Sequence, residues 1–459
     1  MSTRQSRRSF LQQSAGIAAA GAVVPYVFTT ASAAADGQPK SKNDRHVIGC
    51  IGNGGMGHGD ASAASAFGDV VALCDVDRSH AERFKNERKG SFAKADIYED
   101  YRKLLDRSDI DVVTISTPDH WHSRIAIAAM KAGKDIYCQK PLTLTIDEGK
   151  KLCQVWKQTG RVFQVGTQQR SDHKGFLTAV ALCHLGRLGK IKRVTCAIGG
   201  APAGGPFKKA MPPAGLNWNL WLGQTPVVDY IRERCHGQFR WWYEYSGGKM
   251  TDWGAHHVDI AQWAIGMDHG GPTSVEPVSV LHPVELRKGM PTKDDYYNTA
   301  VKFKIRCMFP GDIEMIIIDG QGTPLWEGKT RQETGRTSNG ILIEGEKGKI
   351  FVNRGLLLGP AVDELKTNPV PETELTKLRK GKEPLSHMGN FMACVKDRGV
   401  TLSDVASHHR ALTTCHLSNI AIRLGRKLTW DAVGEQIVGD ADAAGWLSRE
   451  QRKGFEVEA

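Results

Sequence analysis

Apolar runs and helical segments alternate through the first third of the chain. Five short apolar runs have the length and composition of buried strands, and helical segments separate them. The predicted strands are His46–Ile51, Asp69–Cys74, Val112–Ser116, Asp135–Cys138 and Val162–Val165. The predicted helices are Ser79–Glu87, Asp100–Arg107, Ser123–Ala132 and Asp147–Thr159. Because strands that alternate with helices typically form a parallel sheet, residues 45–165 are predicted to fold as a doubly wound α/β domain.

The pattern changes near residue 166, where strand-like runs follow one another without a helix between them. Such runs are typical of an antiparallel sheet. The predicted strands are Ile191–Ile198, Ser274–Leu281, Thr299–Met308 and Ile313–Ile318, and Gly340–Val352 is predicted to be two strands joined at a glycine turn. Residues 355–385 are predicted to be loop, and His387–Arg423 to form terminal helices. Residues 166–459 are therefore predicted to be a second, α+β domain.

The composition is that of an ordered globular protein. Of the 459 residues, 40% are hydrophobic and 24% are charged, which excludes a largely disordered chain and fits two or three domains. The ten cysteines include no C-x-x-C pair, which argues against a disulfide scaffold or a cysteine-based metal centre. The net charge is +11, but Lys and Arg are spread out, which indicates a solvated surface and no nucleic-acid partner.

The first 35 residues have the layout of an export signal. Arg7-Arg8-Ser9-Phe10-Leu11 precedes an alanine-rich apolar stretch and a small-residue run, with cleavage predicted near residues 33–35. The paired arginines resemble a twin-arginine signal, which would make the twin-arginine export machinery a partner and the mature protein periplasmic or otherwise exported. The apolar stretch is too short for a stable membrane span, although an uncleaved signal would remain as an anchor. Residues 36–44 are predicted to be a linker.

A glycine-rich motif follows the first predicted strand. Gly52-Asn53-Gly54-Gly55-Met56-Gly57 fits G-x-G-x-x-G, and Asp75 ends the second predicted strand. Glycines here let the backbone approach a pyrophosphate at a helix N-terminus. Asp75 would bind the adenosine ribose and repel a 2′-phosphate, so NAD is favoured over NADP, although Arg78 weakens that preference. The alternative is a glycine turn without a cofactor.

Two further strand ends carry candidate chemistry, because strand ends in such sheets face the ligand crevice. Thr117-Pro118-Asp119-His120-Trp121-His122 follows one strand and Lys140-Pro141 the next. Trp121 would lie against a nicotinamide, whereas His120 either joins that site or packs in the core. The spacing of His120 and His122 would suit a metal, but no third ligand is evident, so no metal is predicted. Lys140 beside a nicotinamide would serve in proton transfer.

The densest polar cluster lies at residues 247–259, with the sequence GGKMTDWGAHHVD. If a single helix begins near residue 250, Asp252 and His256 stand one turn apart on the same stripe. A carboxylate in that position orients the imidazole and raises its basicity, as a general base requires. The alternative is a pair of polar residues on a helix surface.

Together these residues resemble the glucose–fructose oxidoreductase / inositol dehydrogenase / MocA (Gfo/Idh/MocA) family. The markers are the three motif glycines, Asp75, the Thr-Pro…His run that ends at His122, Lys140-Pro141 and the Asp252–His256 element. The resemblance implies a Rossmann domain, a second domain with a large, mostly antiparallel open sheet, and a sugar or polyol site between them. It also implies a homodimer or homotetramer. Gln139 stands where the family usually has Glu.

The resemblance assigns the catalytic residues, and the motifs and their positions predict the other contacts. Catalytic roles fall on Lys140, Asp252 and His256. Contacts to the cofactor are predicted for Gly52, Gly54, Gly55, Met56, Gly57, Asp75, Thr117, Pro118, His120, Trp121, His122 and Lys140. Contacts to the substrate are predicted for Arg170, Arg240, Tyr243, Asp252 and His256. For Arg170, Arg240 and Tyr243 the prediction rests on position alone, and a core or interface role is the alternative.

The predicted function is transfer of a hydride between a sugar, polyol or glycoside and a tightly bound NAD, with NADP the less favoured cofactor. His256 would withdraw the hydroxyl proton and Lys140 would stabilise the alkoxide. One alternative is an NAD-retaining glycoside hydrolase that works through transient oxidation and elimination. Another is a cofactor-retaining binding protein without turnover.

Overall fold

The computed structural model describes residues 45–87, 92–320, 324–327 and 336–459. The predicted export signal (1–35) and linker (36–44) therefore lie outside the described residues. All described residues belong to one structural unit. Among them, no helix combines the length and apolar character needed to cross a lipid bilayer.

The N-terminal part is a six-stranded parallel sheet. Its strands are β1 (His46–Ile51), β2 (Gly68–Cys74), β3 (Asp96–Tyr98), β4 (Val112–Ile115), β5 (Asp135–Cys138) and β6 (Phe163–Val165). Its helices are α1 (Gly55–Ser65), α2 (Arg78–Glu87), α3 (Tyr101–Leu105), α4 (Asp119–Lys131) and α5 (Ile146–Thr159). The spatial order is β3-β2-β1-β4-β5-β6, with every pair parallel. The predicted doubly wound sheet is confirmed, and the strand order reverses between β1 and β4, where such sheets bind ligands.

The structure differs from the sequence-based prediction at two places in this part. Strand β3 is not predicted from the sequence, because it has only three residues and begins with the exposed Asp96. Helix α4 begins at Asp119, four residues before the predicted start at Ser123. Pro118 precedes its first turn and Asp119 lies in it, and an acidic residue there interacts favourably with the helix dipole. The early start draws the last four residues of the Thr-Pro-Asp-His-Trp-His run into the helix, and Thr117 and Pro118 precede it.

Alternating side chains of β1 pack on opposite faces of the parallel sheet. Ile48 and Cys50 join a buried cluster that contains Phe84 of α2, and Val47 and Ile51 join the larger core on the other face. The first cluster is completed by Phe391, which comes from a helix far along the chain. The second half of the sequence therefore contributes to the core of the first sheet.

The second part is built on a nine-stranded mixed sheet. Its strands are β7 (Ile191–Ala197), β8 (Ser274–Leu281), β11 (Lys302–Phe309), β12 (Ile313–Ile318), β13 (Gly340–Gly345), β14 (Gly348–Asn353), β15 (Leu356–Leu358), β16 (Leu428–Asp431) and β17 (Gln436–Val438). Strands β9 (Leu286–Arg287) and β10 (Met290–Pro291) form a separate hairpin. The order is β15-β14-β13-β7-β12-β11-β8-β16-β17, and within this sheet β7 and β12 are parallel while the other described pairs are antiparallel. The predicted large, mostly antiparallel sheet is confirmed.

The helices of the second part pack on this sheet and on the first one. They are α6 (Phe176–His184), α7 (Trp218–Leu222), α8 (Lys249–Asp252), α9 (Gly254–Ala264), α10 (Pro360–Asp363), α11 (Glu372–Leu378), α12 (His387–Asp397), α13 (Val405–Leu424) and α14 (Ala441–Ala444). Every residue of α9 is buried, and this helix packs against α13 and β7. The terminal helices are confirmed as α12 and α13.

The loop predicted for residues 355–385 is wrong, because this segment contains β15, α10 and α11. Leu356–Leu358 continues the sheet by pairing with Phe351–Asn353. Helix α11 follows Pro371 and carries Glu372 and Glu374 in its first turn, where acidic side chains stabilise a helix.

Candidate active site

A cavity of about 700 Å³ opens at the carboxyl ends of the parallel strands. One end is lined by the glycine loop after β1 and by Asp75 after β2. The other end is lined by Lys140 after β5 and by Asp252 and His256 of the α8–α9 segment. The structure therefore brings the predicted catalytic residues and most of the predicted cofactor residues to one cavity.

The glycine loop has the geometry that its motif predicts. Gly52 has φ +82°, and a Cβ there would lie 2.6 Å from the carbonyl carbon of Ser116. A Cβ on Gly55 would meet no atom within 4 Å, so this glycine faces open space, and the N-terminus of α1 has no side-chain cap. Uncapped N–H groups beside an open space suit a pyrophosphate. Gly52, Gly54, Gly55 and Met56 line the cavity.

Gly57, the last glycine of the motif, packs against the loop. It lies outside the cavity lining, and a Cβ there would lie 1.9 Å from the carbonyl oxygen of Gly52. The glycine thus lets α1 approach the loop closely.

The carboxylate of Asp75 lies beside the glycine loop. Its Oδ2 accepts a hydrogen bond from the backbone N–H of Asn53 (2.7 Å), and its Oδ1 accepts one from the N–H of Asp77 (2.9 Å). Arg78, which could favour a 2′-phosphate, is exposed and paired with Glu82 at 2.6 Å. Asp75 and Asp77 both line the cavity, so this end is acidic.

Two histidines that the sequence analysis does not single out lie at the same end. His80 Nδ1 is 3.5 Å from Asp75 Oδ2, and the pKa of His80 is raised chiefly by its hydrogen bond to that carboxylate. His236 Nε2 is 3.2 Å from Asp77 Oδ2, and the two imidazole rings lie 4.5 Å apart. Asp77, His80 and His236 place potential metal-ligating atoms within 4.8 Å of one another. No sequence spacing could reveal this group, because His236 lies far along the chain.

The Thr117–His122 run divides between cavity and core. Thr117, Pro118 and Trp121 line the cavity, and the buried Thr117 hydroxyl has no hydrogen-bond partner among the described residues. The cofactor contacts predicted for His120 and His122 need correction, since neither lines the cavity. His120 Nε2 lies 2.8 Å from the carbonyl oxygen of Trp221. His122 lies between the backbone oxygens of Thr117 (2.9 Å) and Pro141 (2.7 Å). Burial lowers its pKa to about 4, so the neutral ring donates a hydrogen bond to one of these oxygens.

The lysine and aspartate for which catalytic roles are predicted form an ion pair. Lys140 Nζ lies 2.6 Å from Asp252 Oδ1, and the two side chains are only 11% and 12% exposed. Burial would raise the pKa of Asp252, but the charges of Lys140 and Arg240 lower it to about 2. The predicted pairing of Asp252 with His256 is therefore replaced by pairing with Lys140, and the predicted single helix is divided after Asp252.

His256 is a buried, neutral imidazole at the same end of the cavity. Burial, followed by the charges of Lys140 and Arg354, lowers its pKa well below the usual value. Its Nδ1 has no hydrogen-bond partner among the described residues. A neutral imidazole has one unprotonated ring nitrogen, and His256 lines the cavity, so this residue could accept a proton from a bound hydroxyl.

Two predicted substrate contacts also need correction. Arg170 is buried, with its guanidinium 2.7 Å from Asp259 and 2.9 Å from Asp268, so its charge is already neutralised inside the protein. The ring of Tyr243 is stacked between the guanidinium groups of Arg423 and Arg449, each 3.9 Å from the ring centre. Neither Arg170 nor Tyr243 lines the cavity, whereas Arg240 does.

Gln139 has a carboxyl partner from another element. Its Nε2 lies 3.0 and 2.9 Å from the two carboxyl oxygens of Asp60 on α1, and Ser116 Oγ donates to the same group at 2.7 Å. Burial raises the pKa of Asp60 to about 6, although these hydrogen bonds act to lower it. The residue before Lys140 is thus fixed to the helix that follows the glycine loop.

The cavity contains further residues that the sequence analysis missed. Asp119 lines it, and its Oδ2 accepts a hydrogen bond from Ser246 Oγ at 2.5 Å. Arg354 reaches the cavity from the turn after β14, and Phe455 from the C-terminal segment. Asp119 could be found from the sequence, because it lies inside the Thr-Pro-Asp-His run. Arg354 and Phe455 belong to no motif, so the sequence does not reveal them.

Comparisons with known proteins agree with this fold. Residues 46–167 match the oxidoreductase family's NAD-binding Rossmann fold in the Gfo/Idh/MocA family. Residues 206–284 and 330–457 match the C-terminal alpha/beta domain of the same family. The matched ranges together include most of the chain.

Individual relatives are similar over shorter segments. An alpha-N-acetylgalactosaminidase of Shewanella oneidensis is 33% identical over 163 residues, which is 31% of this chain and 35% of that protein. An inositol 2-dehydrogenase of Salmonella paratyphi B is 30% identical over 123 residues, which is 27% of this chain and 35% of that protein. The chain thus spans about a third of the length of these curated relatives.

Solved structures extend the similarity of fold to most of the chain. A levoglucosan dehydrogenase in complex with NADH and L-sorbose has a TM-score of 0.57 and 18% identity, covering 84% of this chain and 98% of that one. With its matched Rossmann and C-terminal domains, the chain belongs to the Gfo/Idh/MocA oxidoreductase family.

Proposed function

We propose that the protein is an NAD-dependent oxidoreductase that acts on a hydroxyl-bearing carbon of a sugar, polyol or glycoside. The observation that carries the proposal is the set of Lys140, Asp252 and neutral His256 at the end of the cavity opposite the glycine loop. The set combines a cation, its positioning carboxylate and a proton acceptor, which is what oxidation of an alcohol requires.

The residues at the other end fit a nicotinamide dinucleotide. Gly54 and Gly55 would hold the pyrophosphate, and Asp75 would hold the adenosine ribose. The unpartnered Thr117 hydroxyl and Trp121 would face the nicotinamide half of the cofactor. When bound, the cofactor supplies the nicotinamide carbon that takes up or gives back the hydride.

The chain's own residues handle the proton and the charge. His256 would accept the hydroxyl proton, because a neutral imidazole has a free ring nitrogen. Burial lowers its pKa, so it is a weaker base than the Asp-paired imidazole that the sequence predicts. The Lys140 ammonium would donate a hydrogen bond to the substrate oxygen and stabilise its developing negative charge. Asp252 would act as a positioning residue that holds the ammonium in place at 2.6 Å.

NAD rather than NADP is the proposed cofactor. A 2′-phosphate on the adenosine ribose would meet the carboxylates of Asp75 and Asp77, and like charges at short distance repel. Arg78 would offset this repulsion only by leaving Glu82, with which it is paired.

Tight retention of the cofactor is supported by the C-terminal segment. Arg124 of α4 donates hydrogen bonds to the carbonyl oxygens of Gly454 (3.0 Å) and Glu456, and Lys151 donates one to the oxygen of Val457 (2.8 Å). These contacts hold Phe455 in the cavity wall, where its ring lies 6.0 Å from that of Trp121. A wall that is fixed at several points would slow the release of a bound dinucleotide.

Export and assembly are further proposals. Residues 1–35 would direct twin-arginine export, supported by Arg7-Arg8 and the small-residue run. Replacement of Arg7 and Arg8 by Lys should keep the protein in the cytoplasmic fraction, and unchanged export would contradict this proposal. An exported enzyme would need a retained cofactor, because no soluble NAD pool is expected outside the cytoplasm. The protein is also proposed to be a homodimer or homotetramer.

The experiment that tests the main proposal is the substitution Lys140→Ala. The variant should bind the dinucleotide but lose hydride transfer by about two to four orders of magnitude, because it lacks the cation at the substrate oxygen. Lys157→Ala, on the exposed side of α5, is the matched control and should retain activity. Full activity of the Lys140→Ala variant would contradict the proposed catalytic role of Lys140.

A second candidate function is an NAD-retaining glycoside hydrolase. The similarity to the alpha-N-acetylgalactosaminidase favours it. In this reaction, transient oxidation of the sugar acidifies the neighbouring C–H, the aglycone is eliminated, water adds, and the sugar is reduced again.

Product analysis separates the candidates. The protein would be denatured to identify the released nucleotide, and the native protein would be offered aryl glycosides and free sugars. A ketosugar would support the oxidoreductase, and free aglycone without net NADH would support the hydrolase. Neither product, together with a retained dinucleotide, would support a binding protein without turnover.

A further inference from the structure

Positive charge accumulates around the carboxylate of Asp252 at the substrate end of the cavity. Asp252 has Lys140 at 2.6 Å, Arg240 at 3.5 Å and Lys249 at 3.5 Å. One negative charge thus faces three positive charges within salt-bridge distance. The excess is uncommon in a partly buried site, because unpaired charges are costly away from water.

A fourth cation lies at the same end. Arg354 is exposed at the cavity wall, and its guanidinium lies 4.8 Å from the ring centre of Trp253. Among the described residues, no carboxylate lies within salt-bridge distance of Arg354. Its charge reaches the catalytic group, since it contributes to the lowered pKa of His256.

The other acidic side chain at this end does not balance the excess. Asp119 is 4% exposed, and burial raises its pKa to about 7. Its Oδ2 is already bound by Ser246. Asp119 therefore takes up a proton more readily than an ordinary aspartate, which weakens its contribution to the charge balance.

The remaining carboxylates of the cavity lie after β2 and β3, at the opposite edge of the site. They are Asp75, Asp77, Glu99 and Asp100. Because the sheet order is β3-β2-β1-β4-β5, the whole width of β1 and β4 separates these residues from Lys140 after β5. The cavity is therefore acidic at its adenosine end and cationic at its substrate end.

A bound dinucleotide would leave the cationic end unbalanced. Its pyrophosphate belongs at the glycine loop, and an oxidised nicotinamide adds a further positive charge. Arg240 and Arg354 have planar guanidinium groups, which suit oxyanions through paired N–H donors.

We propose that the substrate is an anionic sugar or polyol, which carries a carboxylate, phosphate or sulfate group bound by Arg240 and Arg354. This inference rests on the proposed function, in which Lys140 and His256 act on the hydroxyl of the same molecule. The oxyanion would neutralise the cation excess and fix the orientation of the reacting carbon.

The test compares matched substrates on the dinucleotide-loaded protein. A neutral hexose, the corresponding hexuronate, the hexose 6-phosphate and the hexose 6-sulfate would be assayed for hydride transfer and, separately, for binding by titration calorimetry. At least one anionic member should have kcat/KM about tenfold or more above the neutral sugar, as expected for a charge-assisted contact. The preferred member identifies the oxyanion.

Variants locate the selectivity. Arg354→Gln should reduce the preference for the anionic sugar about tenfold, with the change mainly in KM, and raised salt should weaken it in the wild type. Arg426→Gln is the control, because Arg426 is paired with Asp440 and Asp442 outside the cavity. Equal kcat/KM for neutral and anionic sugars, with no effect of Arg354→Gln, would overturn the inference and leave the oxidoreductase proposal standing. Selective binding of anionic sugars without hydride transfer would contradict the oxidoreductase proposal and support an anionic ligand.

Discussion

The ion pair between Lys140 and Asp252 determines what each catalytic side chain can do. The carboxylate of Asp252 is bound to Lys140, and its pKa is lowered to about 2. Asp252 therefore keeps its negative charge in all but strongly acidic solution. His256 is then left without that partner and stays neutral in a buried, cationic environment. In the proposed mechanism, proton acceptance and charge stabilisation therefore fall to two different residues. Such a division is typical of sites in which neighbouring groups have different pKa values.

Asp119 gives a prediction about pH and stability. Burial raises its folded-state pKa to about 7, against roughly 3.9 for an unfolded Asp. Between about pH 4 and pH 7 the folded protein holds a proton that the unfolded chain has lost, so this group makes stability fall as pH rises. Asp119→Asn keeps an acceptor for Ser246 and removes the ionisation. The variant should be more stable than the wild type by about 2 to 4 kcal/mol at pH 8 and nearly equal to it near pH 4.

Urea denaturation at both pH values measures the effect of Asp119→Asn. Asp109→Asn is the control, because Asp109 is exposed and its pKa is lowered by Arg107, so its proton is absent from both states above about pH 4. Identical pH dependence in Asp119→Asn and the wild type would contradict a raised pKa at this residue.

Residues whose roles depend on local geometry could be predicted from the sequence, whereas residues defined by distant partners could not. Gly52 and Asp75 follow from the strand–turn–helix pattern, and both line the cavity. In the sequence, Arg170 has the features of a binding residue. In the structure, its guanidinium is bound by Asp259, which lies 89 positions along the chain. His120 likewise finds its carbonyl partner, Trp221, 101 positions along the chain. Single-sequence patterns contain no information on such pairings.

Elements from the end of the chain complete the domain that the beginning of the chain starts. Helix α12 places Phe391 in the core cluster of β1 and β2. The C-terminal segment runs along α4 and ends beside α5, with Val457 buried. The sequence pattern predicted α12 as a helix but could not show that it covers the first sheet, because its apolar stripe would fit either sheet.

The C-terminal segment gives a prediction about cofactor release. Phe455→Ala should raise the dissociation rate of the bound dinucleotide by about tenfold, since burial of an aromatic side chain is worth about 1.5–3 kcal/mol when complete. Stopped-flow displacement of the dinucleotide measures this rate. Lys453→Ala, an exposed residue of the same segment, is the control. Release at the wild-type rate from Phe455→Ala would show that the segment does not retain the cofactor.

At the scale of the molecule, the two sheets differ in how their faces are used. The parallel sheet is packed on both faces. The nine-stranded sheet has one face on the helices, and its other face has an open depression lined by residues of β7, β8, β11 and β12. An antiparallel sheet can leave one face in water, but a face of this width is also available for assembly.

Glu314 lies at the centre of that open face and gives a prediction about assembly. It pairs with Arg193 at 2.6 Å and with Arg306 at 3.1 Å, next to Ile316. If the proposed homodimer or homotetramer forms through this face, Glu314→Lys should reduce the mass measured by light scattering, because three adjacent positive charges would meet their symmetry copies across the interface. Glu383→Lys, exposed outside this face, should leave the mass unchanged. A wild-type monomer, or a Glu314→Lys variant of unchanged mass, would exclude this face as the interface.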